Sequence, residues 1–411
     1  MKKILIIGAV WVEPSSSAAG SRMLQLIELF LKQEYAITFA TTTQKTVNAF
    51  DLKSIGVDEV AIELNSSSFD DFVKELNPTI VIFDRFMIEE QFGWRVADNC
   101  SNAIRVLDTE DLHSLRNIRQ EAVKIGNDFL LDDLLNSDIA KREIAAIYRC
   151  DLSLIISAFE MSLLQNTFKI DSSLLIHLPF LLEPISTKTQ QVWKPFEERK
   201  HFVTIGNFLH APNVDAVLYL KKHIWTRIRK LLPNAEMHVY GAYPTQQILQ
   251  LHNKKDGFLV KGFAENAEEV VSNAKVVLAP VRFGAGIKGK LSEAMLCGTP
   301  SVTTQIGAEG MHADLPWNGF VTDDFNEFVV RAVTLYSDAF LWKESQENGI
   351  EIINKLYNKE KLSPFFISRM EALKLNLKQH RTQNFIGGLL QHQTLRSTKY
   401  MSKWIEEKNN K

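Results

Sequence analysis

Apolar residues in this chain fall into short continuous runs separated by amphipathic stretches, and the pattern occurs twice. Lys3 to Ile7 is the first run; Met23, Leu26, Ile27, Phe30 and Leu31 follow at helical spacing. Further runs stand at Ile37 to Ala40, Val60 to Leu64, Thr79 to Phe83, Ala103 to Leu107, Asp151 to Ser157 and Leu174 to His177, with helical patterns between several of them, as at Phe69 to Leu76 and Glu89 to Ala97. Runs without polar alternation suit strands buried on both faces. Strands alternating with helices predict a parallel, doubly wound sheet. Pro179, Pro184 and Pro195 then forbid a continuous helix or central strand, which marks a linker. The pattern restarts with strands at His201 to Ile205, Glu236 to Tyr240, Gly257 to Val260, Val276 to Ala279 and Pro300 to Thr303. A long helix beginning at Pro212 or Asn213 is expected to bury Val214, Val217, Leu218, Ile224, Trp225, Ile228 and Leu231. After Val321 the pattern is helical, at 325–336, 342–357 and 365–377. The expected organisation is α/β: a first domain over 1–178, a linker over 179–200, a second domain over 201–340, helices over 341–380 and a basic tail over 381–411.

A length of 411 residues supports two cores of this size. Forty-seven basic and 49 acidic residues give a net charge of −2, which argues against a nucleic-acid partner. Cys100, Cys150 and Cys297 are odd in number and lack a C-x-x-C pair, so neither a disulfide framework nor a structural zinc site is expected. The lysines and short apolar run at the N-terminus are too little for a signal peptide, and no stretch approaches a membrane span. A cytoplasmic protein is expected. The tail from Arg381 has six Lys or Arg against two Glu, with Phe385, Ile386, Leu389, Leu390, Tyr400 and Trp404 among them. It is a candidate for peripheral contact with an anionic membrane, the inner face of a cell membrane included, or for a solvated helix.

Ligands in doubly wound sheets gather beyond the carboxyl ends of the strands. That rule singles out Asp84-Arg85-Phe86 and the stretch Leu107 to Arg116. In the latter, Asp108, Glu110, Asp111, His113 and Arg116 put five ionisable groups within nine residues. Such a cluster supplies a general base, an orienting carboxylate and an anion clamp. Its structural alternative is a helix start capped by Asp108 or Thr109. The loop between Gly8 and Arg22 lacks G-x-G-x-x-G, so no dinucleotide site is expected there. Glu160 opens a helix after the Asp151 to Ser157 strand; it could face the cleft, but capping that helix is its expected role.

The most informative stretch is Ala279 to Gln305, A-P-V-R-F-G-A-G-I-K-G-K-L-S-E-A-M-L-C-G-T-P-S-V-T-T-Q. It predicts a strand, a loop with Gly284, Gly286 and Gly289 and the cations Arg282, Lys288 and Lys290, then a helix over 290–297. Loop amides at a helix N-terminus together with those cations make an anion pocket, and Glu293 sits one turn into the helix.

This stretch, with the I-G-A-E-G-M that follows, resembles the donor-binding signature of nucleotide-sugar glycosyltransferases of the GT-B fold, in the group whose C-terminal domain is called glycosyl transferases group 1. The resemblance implies two Rossmann-like domains facing a cleft, with the last helices crossing back to the first domain. Arg282, Lys288 and Lys290 would then contact the donor diphosphate with Gly284 and Gly286, and Glu293 the ribose. Gly262 and Phe263 would lie beside the base, and Glu309 near the donor sugar. Gly20, Arg22 and Asn207 would line the cleft, with His210 in the same segment as Asn207. His113, Glu110 and Asp111 would be the catalytic candidates. One position departs from the pattern: many members carry a glutamate where this chain has Ala285. The implied activity is transfer of a sugar from a nucleoside-diphosphate sugar to a hydroxyl of a glycan or lipid-linked acceptor, without metal or other cofactor. The alternatives are a nucleotide-sugar epimerase of the same fold and a non-catalytic nucleotide-sugar binding protein.

Overall fold

The computed structural model describes residues 2–392 together with 400, 404 and 408. Seven parallel strands form the first sheet: β1 (Lys3–Gly8), β2 (Ala36–Thr41), β3 (Asp58–Ala61), β4 (Ile80–Asp84), β5 (Ile104–Asp108), β6 (Leu152–Ile155) and β7 (Leu175–His177). Their order is β3-β2-β1-β4-β5-β6-β7. Six parallel strands form the second: β8 (Lys200–Ile205), β9 (Met237–Tyr240), β10 (Phe258–Gly262), β11 (Ala274–Ala279), β12 (Ser301–Thr303) and β13 (Gly319–Val321), in the order β10-β9-β8-β11-β12-β13. The central strands are fully buried because helices cover both faces: β4 is Ile-Val-Ile-Phe-Asp without one exposed residue.

Strand order reverses between β1 and β4 in the first sheet and between β8 and β11 in the second. At such a switch point the loops of neighbouring strands diverge and leave a crevice. Here the two crevices face each other. The loops after β1, β5 and β6 touch the loops after β9, β11 and β12, through Glu13–Tyr243, Asp111–Gly286 and Ser157–Gly310.

The chain crosses between the domains twice, and the two crossings run side by side. Leu182 N–H donates to Tyr357 O at 2.8 Å, and Lys359 N–H donates to Leu182 O at 2.9 Å. The helix Ala339–Leu356 buries Ile352 and Ile353 in the second domain, whereas the helix Lys359–Leu375 buries Phe366, Met370 and Leu373 in the first. The linker is packed, with Leu181 in the first core and Phe180 and Ile185 in the second.

Several details differ from the sequence reading. β13 was not expected, since Gly-Phe-Val is too short a run to register as a strand. The stretch 113–149, for which no helices were assigned above, holds three: His113–Ile125, Leu131–Asn136 and Asp138–Arg149. A π-helical turn at Leu220–Trp225 rotates the long helix of the second domain, so Leu231 leaves the buried stripe and is 58% exposed. The first part of the basic tail is not free. Arg381 donates from Nε to Asp151 Oδ1 at 2.7 Å and from Nη2 to Oδ2 at 2.7 Å, and it also reaches the carbonyls of Ser101 and Ala103. The helix Phe385–His392 lies on Asp138–Arg149, with Asn384 Nδ2 donating to Tyr148 O at 2.8 Å. Most of the remaining tail, including Leu395 and Arg396, lies outside the described residues. Among the described residues no helix is long and apolar enough to cross a membrane, and the three cysteines are free and buried.

Candidate active site

The loop 280–288 leaves β11 in extended form, so its side chains alternate. Val281 and Phe283 are buried and Arg282 points outward between them. Arg282 therefore does not join the loop's other cations. It forms a two-pronged ion pair with Asp215, with Nε 2.9 Å from Oδ2, and lies over the Tyr219 ring. There it borders a crevice of about 540 Å³ shared with Gln120, Lys124, Leu209 and Val214.

Lys288 and Lys290 stand at the N-terminus of the helix Gly289–Leu296. Lys288 Nζ donates to Gly286 O at 2.9 Å, and Lys290 Nζ donates to Asn213 Oδ1 at 2.7 Å. Burial lowers both ammonium pKa values to about 8, opposed by Glu309 for Lys288 and by Glu293 for Lys290. Two partly buried cations at a helix N-terminus can attract an anion. Glu293, one turn on, is pushed up to about 7 by burial and by Glu268, with Lys290 opposing.

Two of the three loop glycines serve a purpose the sequence reading did not assign. A Cβ on Gly286, whose φ is +61°, would lie 2.9 Å from Asp111 Cβ, and one on Gly289 would lie 2.4 Å from Ala18 Cβ. Both admit the first domain to the loop at backbone distance. The N–H of Gly286 donates to Glu160 Oε1 at 2.8 Å, so in this structure a protein carboxylate takes that amide. Glu160 was expected to cap its own helix and does not. Gly284 offers its carbonyl to Arg119 Nη1 at 2.9 Å. Ala285, at the position where this chain departs from the family pattern, packs against the first domain's core.

Arg119 also grips Glu309 through two 2.8 Å hydrogen bonds. Glu309, expected near the donor sugar, is half of an ion pair between the domains. The sequence reading missed Arg119 because its partner lies 190 residues away. Glu13 and Tyr243 make a second such contact, Tyr243 Oη donating to Glu13 Oε2 at 2.9 Å.

Three residues expected to line the cleft have other roles. Arg22 is buried: Nε donates to Asp108 Oδ1 at 3.0 Å and Nη1 to Leu178 O at 2.7 Å, which ties β5 to the end of β7. Gly20 is needed because a Cβ would lie 2.3 Å from the Glu13 carbonyl, where the first loop folds back. Asn207 closes its own turn, its Oδ1 accepting from Leu209 N–H at 2.8 Å. Gly262 ends β10 with φ +81°, and the Phe263 ring beside it is 40% exposed.

Opposite the loop, the acids after β5 do not cap the helix they precede. Glu143, from the helix Asp138–Arg149, accepts from the first amides of His113–Ile125, at His113 (2.9 Å) and Ser114 (3.0 Å). That leaves Glu110 and Asp111 to the cleft. Burial works against the Asp111 charge, but Arg116, 2.7 Å away, and His113 hold its carboxyl well below the usual range. His113 Nε2 lies 3.4 Å from Asp111 Oδ1, and burial lowers the imidazole to about 4, so the ring is neutral at pH 7. Glu110 is the opposite case: burial, then Asp108 and Asp84, raise its carboxyl well above normal. Its φ is +60°, and Arg85 beside it has φ +74°. Two non-glycine residues in this region at adjacent strand ends mark stored backbone strain. His210, from the second domain, lies within the field of Asp111, Arg116 and Lys290.

Residues 199–338 match the family described as glycosyl transferases group 1. No curated protein sequence matches the chain. Among solved structures it is similar to sucrose-phosphate synthase from Thermosynechococcus elongatus, with 14% identity, 91% of this chain and 99% of that one covered, and a TM-score of 0.65. It is also similar to a variant of S. aureus TarM bound to fondaparinux, α-GlcNAc-glycerol and UDP (12%, 90% and 99%, 0.66). A third is Anabaena HepE bound to UDP and glucose (13%, 91% and 100%, 0.63). These structures share the two-domain GT-B architecture. The chain thus has the two-domain GT-B fold, and its residues 199–338 match the glycosyl transferases group 1 family.

Proposed function

We propose that the protein transfers a sugar from a nucleoside-diphosphate sugar to a hydroxyl of a glycan or lipid-linked acceptor in cell-surface glycan synthesis. The observation that carries this reading is the pair Lys288 and Lys290, desolvated at the start of the helix Gly289–Leu296 and faced across the cleft by an acid cluster. The donor diphosphate lies against the two lysines and the helix N-terminus, the ribose against Glu293, and the base near Gly262 and Phe263. UDP, held by two of the structural relatives, is the first nucleotide to try.

As the glycosidic bond breaks, negative charge grows on the leaving diphosphate. Fixed cations in a dry site stabilise that charge more in the transition state than in the ground state. The lysines thereby supply the charge compensation, and we propose that the reaction uses neither a metal ion nor another cofactor. On the acceptor side Glu110, with no ion-pair partner among the described residues, is the group suited to take the acceptor's proton; burial disfavours its ionised form, which is the stronger base for that reason. Asp111 stays charged and orients His113, whose neutral imidazole can exchange hydrogen bonds with the sugar or the acceptor.

Calorimetric titration of UDP, GDP, ADP, CMP and dTDP, with Glu293→Ala and Lys290→Ala alongside, tests the site. Micromolar binding of one nucleotide, weakened by both substitutions, is expected. Absence of binding by all five sinks the reading.

A further inference from the structure

Glu160 touches both sides of the cleft. It is 0% exposed, and Oε1 accepts from Leu112 N–H at 2.9 Å and from Gly286 N–H at 2.8 Å. Oε2 is buried and meets no protein partner among the described residues. Leu112 lies between Asp111 and His113 in the first domain. Gly286 lies in the second domain, and its carbonyl accepts from Lys288. One oxygen atom therefore sets the spacing between the acid cluster and the donor loop. The approach is possible only because residue 286 lacks a Cβ, which would lie 2.9 Å from Asp111. Burial, then Asp111, push the Glu160 carboxyl up to about 8, so at neutral pH it is an uncharged acid with Oε2 free to carry the proton.

We propose that Glu160 is a positioning residue for sugar transfer, registering the donor loop against the Asp111–His113 segment as the cleft closes, without itself touching substrate. This rests on the glycosyltransferase reading above. Glu160→Gln keeps the carbonyl oxygen and the neutral charge, so both amide bonds survive. Glu160→Ala removes the acceptor, and Glu160→Asp withdraws it by one methylene. Misplacement on the order of 1 Å at a reacting centre costs up to about 100-fold in rate.

The test measures three quantities for wild type and the three variants: melting temperature, Kd for the nucleotide that wild type binds, and nucleotide release from the matching nucleotide sugar with water as acceptor. Expected are turnover about 10- to 100-fold lower for Ala and Asp, Kd unchanged within about threefold, and near-wild-type turnover for Gln. Equal turnover in Asp and wild type overturns the proposal, as does a loss of affinity that matches the loss of rate. If Ala fails to fold, the contrast of Asp with Gln decides. Wild type that binds no nucleotide defeats the functional reading and this inference with it, whereas wild type that binds and turns over isolates any failure to Glu160.

Discussion

Lys290→Met separates donor binding from folding. In the free protein Lys290 Nζ makes one hydrogen bond, to Asn213, and burial holds its pKa at about 8 against an ordinary 10.5. A lysine depressed in this way binds its proton more weakly folded than unfolded, so its contribution to stability rises with pH between those two values. At pH 7 the ammonium is a cost, and replacing it loses about one hydrogen bond while removing that cost. The melting temperature should therefore move by no more than about 3 °C. In the complex the same ammonium meets phosphate oxygens, and a hydrogen bond between charged groups contributes about 1.5–3 kcal/mol. That corresponds to a Kd about 10- to 150-fold weaker. The pH adds an independent check. A lysine of pKa about 8 is roughly 90% protonated at pH 7 and roughly 10% at pH 9, so wild-type affinity should fall about tenfold per lysine across that window. Lys288 titrates in the same window, so the variant should keep part of the slope. Calorimetry at pH 7 and pH 9 measures both effects. An unchanged Kd in a folded variant, or an affinity that rises with pH, refutes the placement of the diphosphate.

Arg119→Ala breaks the paired hydrogen bonds to Glu309 and the bond to Gly284 O; turnover should fall at least about tenfold with a larger solution radius by X-ray scattering, and normal turnover sinks the latch. Glu110→Gln should lower the rate of transfer about 100-fold or more while sparing nucleotide Kd, and an unchanged rate removes it as the base. Arg381→Ala leaves the Asp151 carboxylate buried with one partner fewer; urea unfolding should show about 1–3 kcal/mol less stability, and no change would mean that the C-terminal helices do not brace the first domain.

The two parallel sheets were legible because each strand is a local object. Val276 to Ala279 or Ile80 to Phe83 is apolar at every position, and that pattern needs no distant partner to interpret. The glycine-rich turn into the helix Gly289–Leu296 was legible for the same reason, since glycines, lysines and a helix start lie within about ten residues. Even so, the chemistry of single residues was misread where the partner was remote. Arg282 carries the same charge as Lys288, but only the turn of the backbone sends it to Asp215. The sequence shows no remote partner for Glu309 or Glu160, yet one is held by Arg119 and the other by the amides of Leu112 and Gly286.

What the sequence alone determined is the fold class, because it rests on short-range periodicity and on residues adjacent in the chain. What only the tertiary structure decided is which charges are spent within the protein and which face the cleft. Charge pairing depends on distance in space, and the carboxyl ends of two sheets bring together groups such as Glu13 and Tyr243, 230 residues apart. Burial then completes the assignment, lowering Lys288 and Lys290 and raising Glu110 by removing water that no sequence pattern reports.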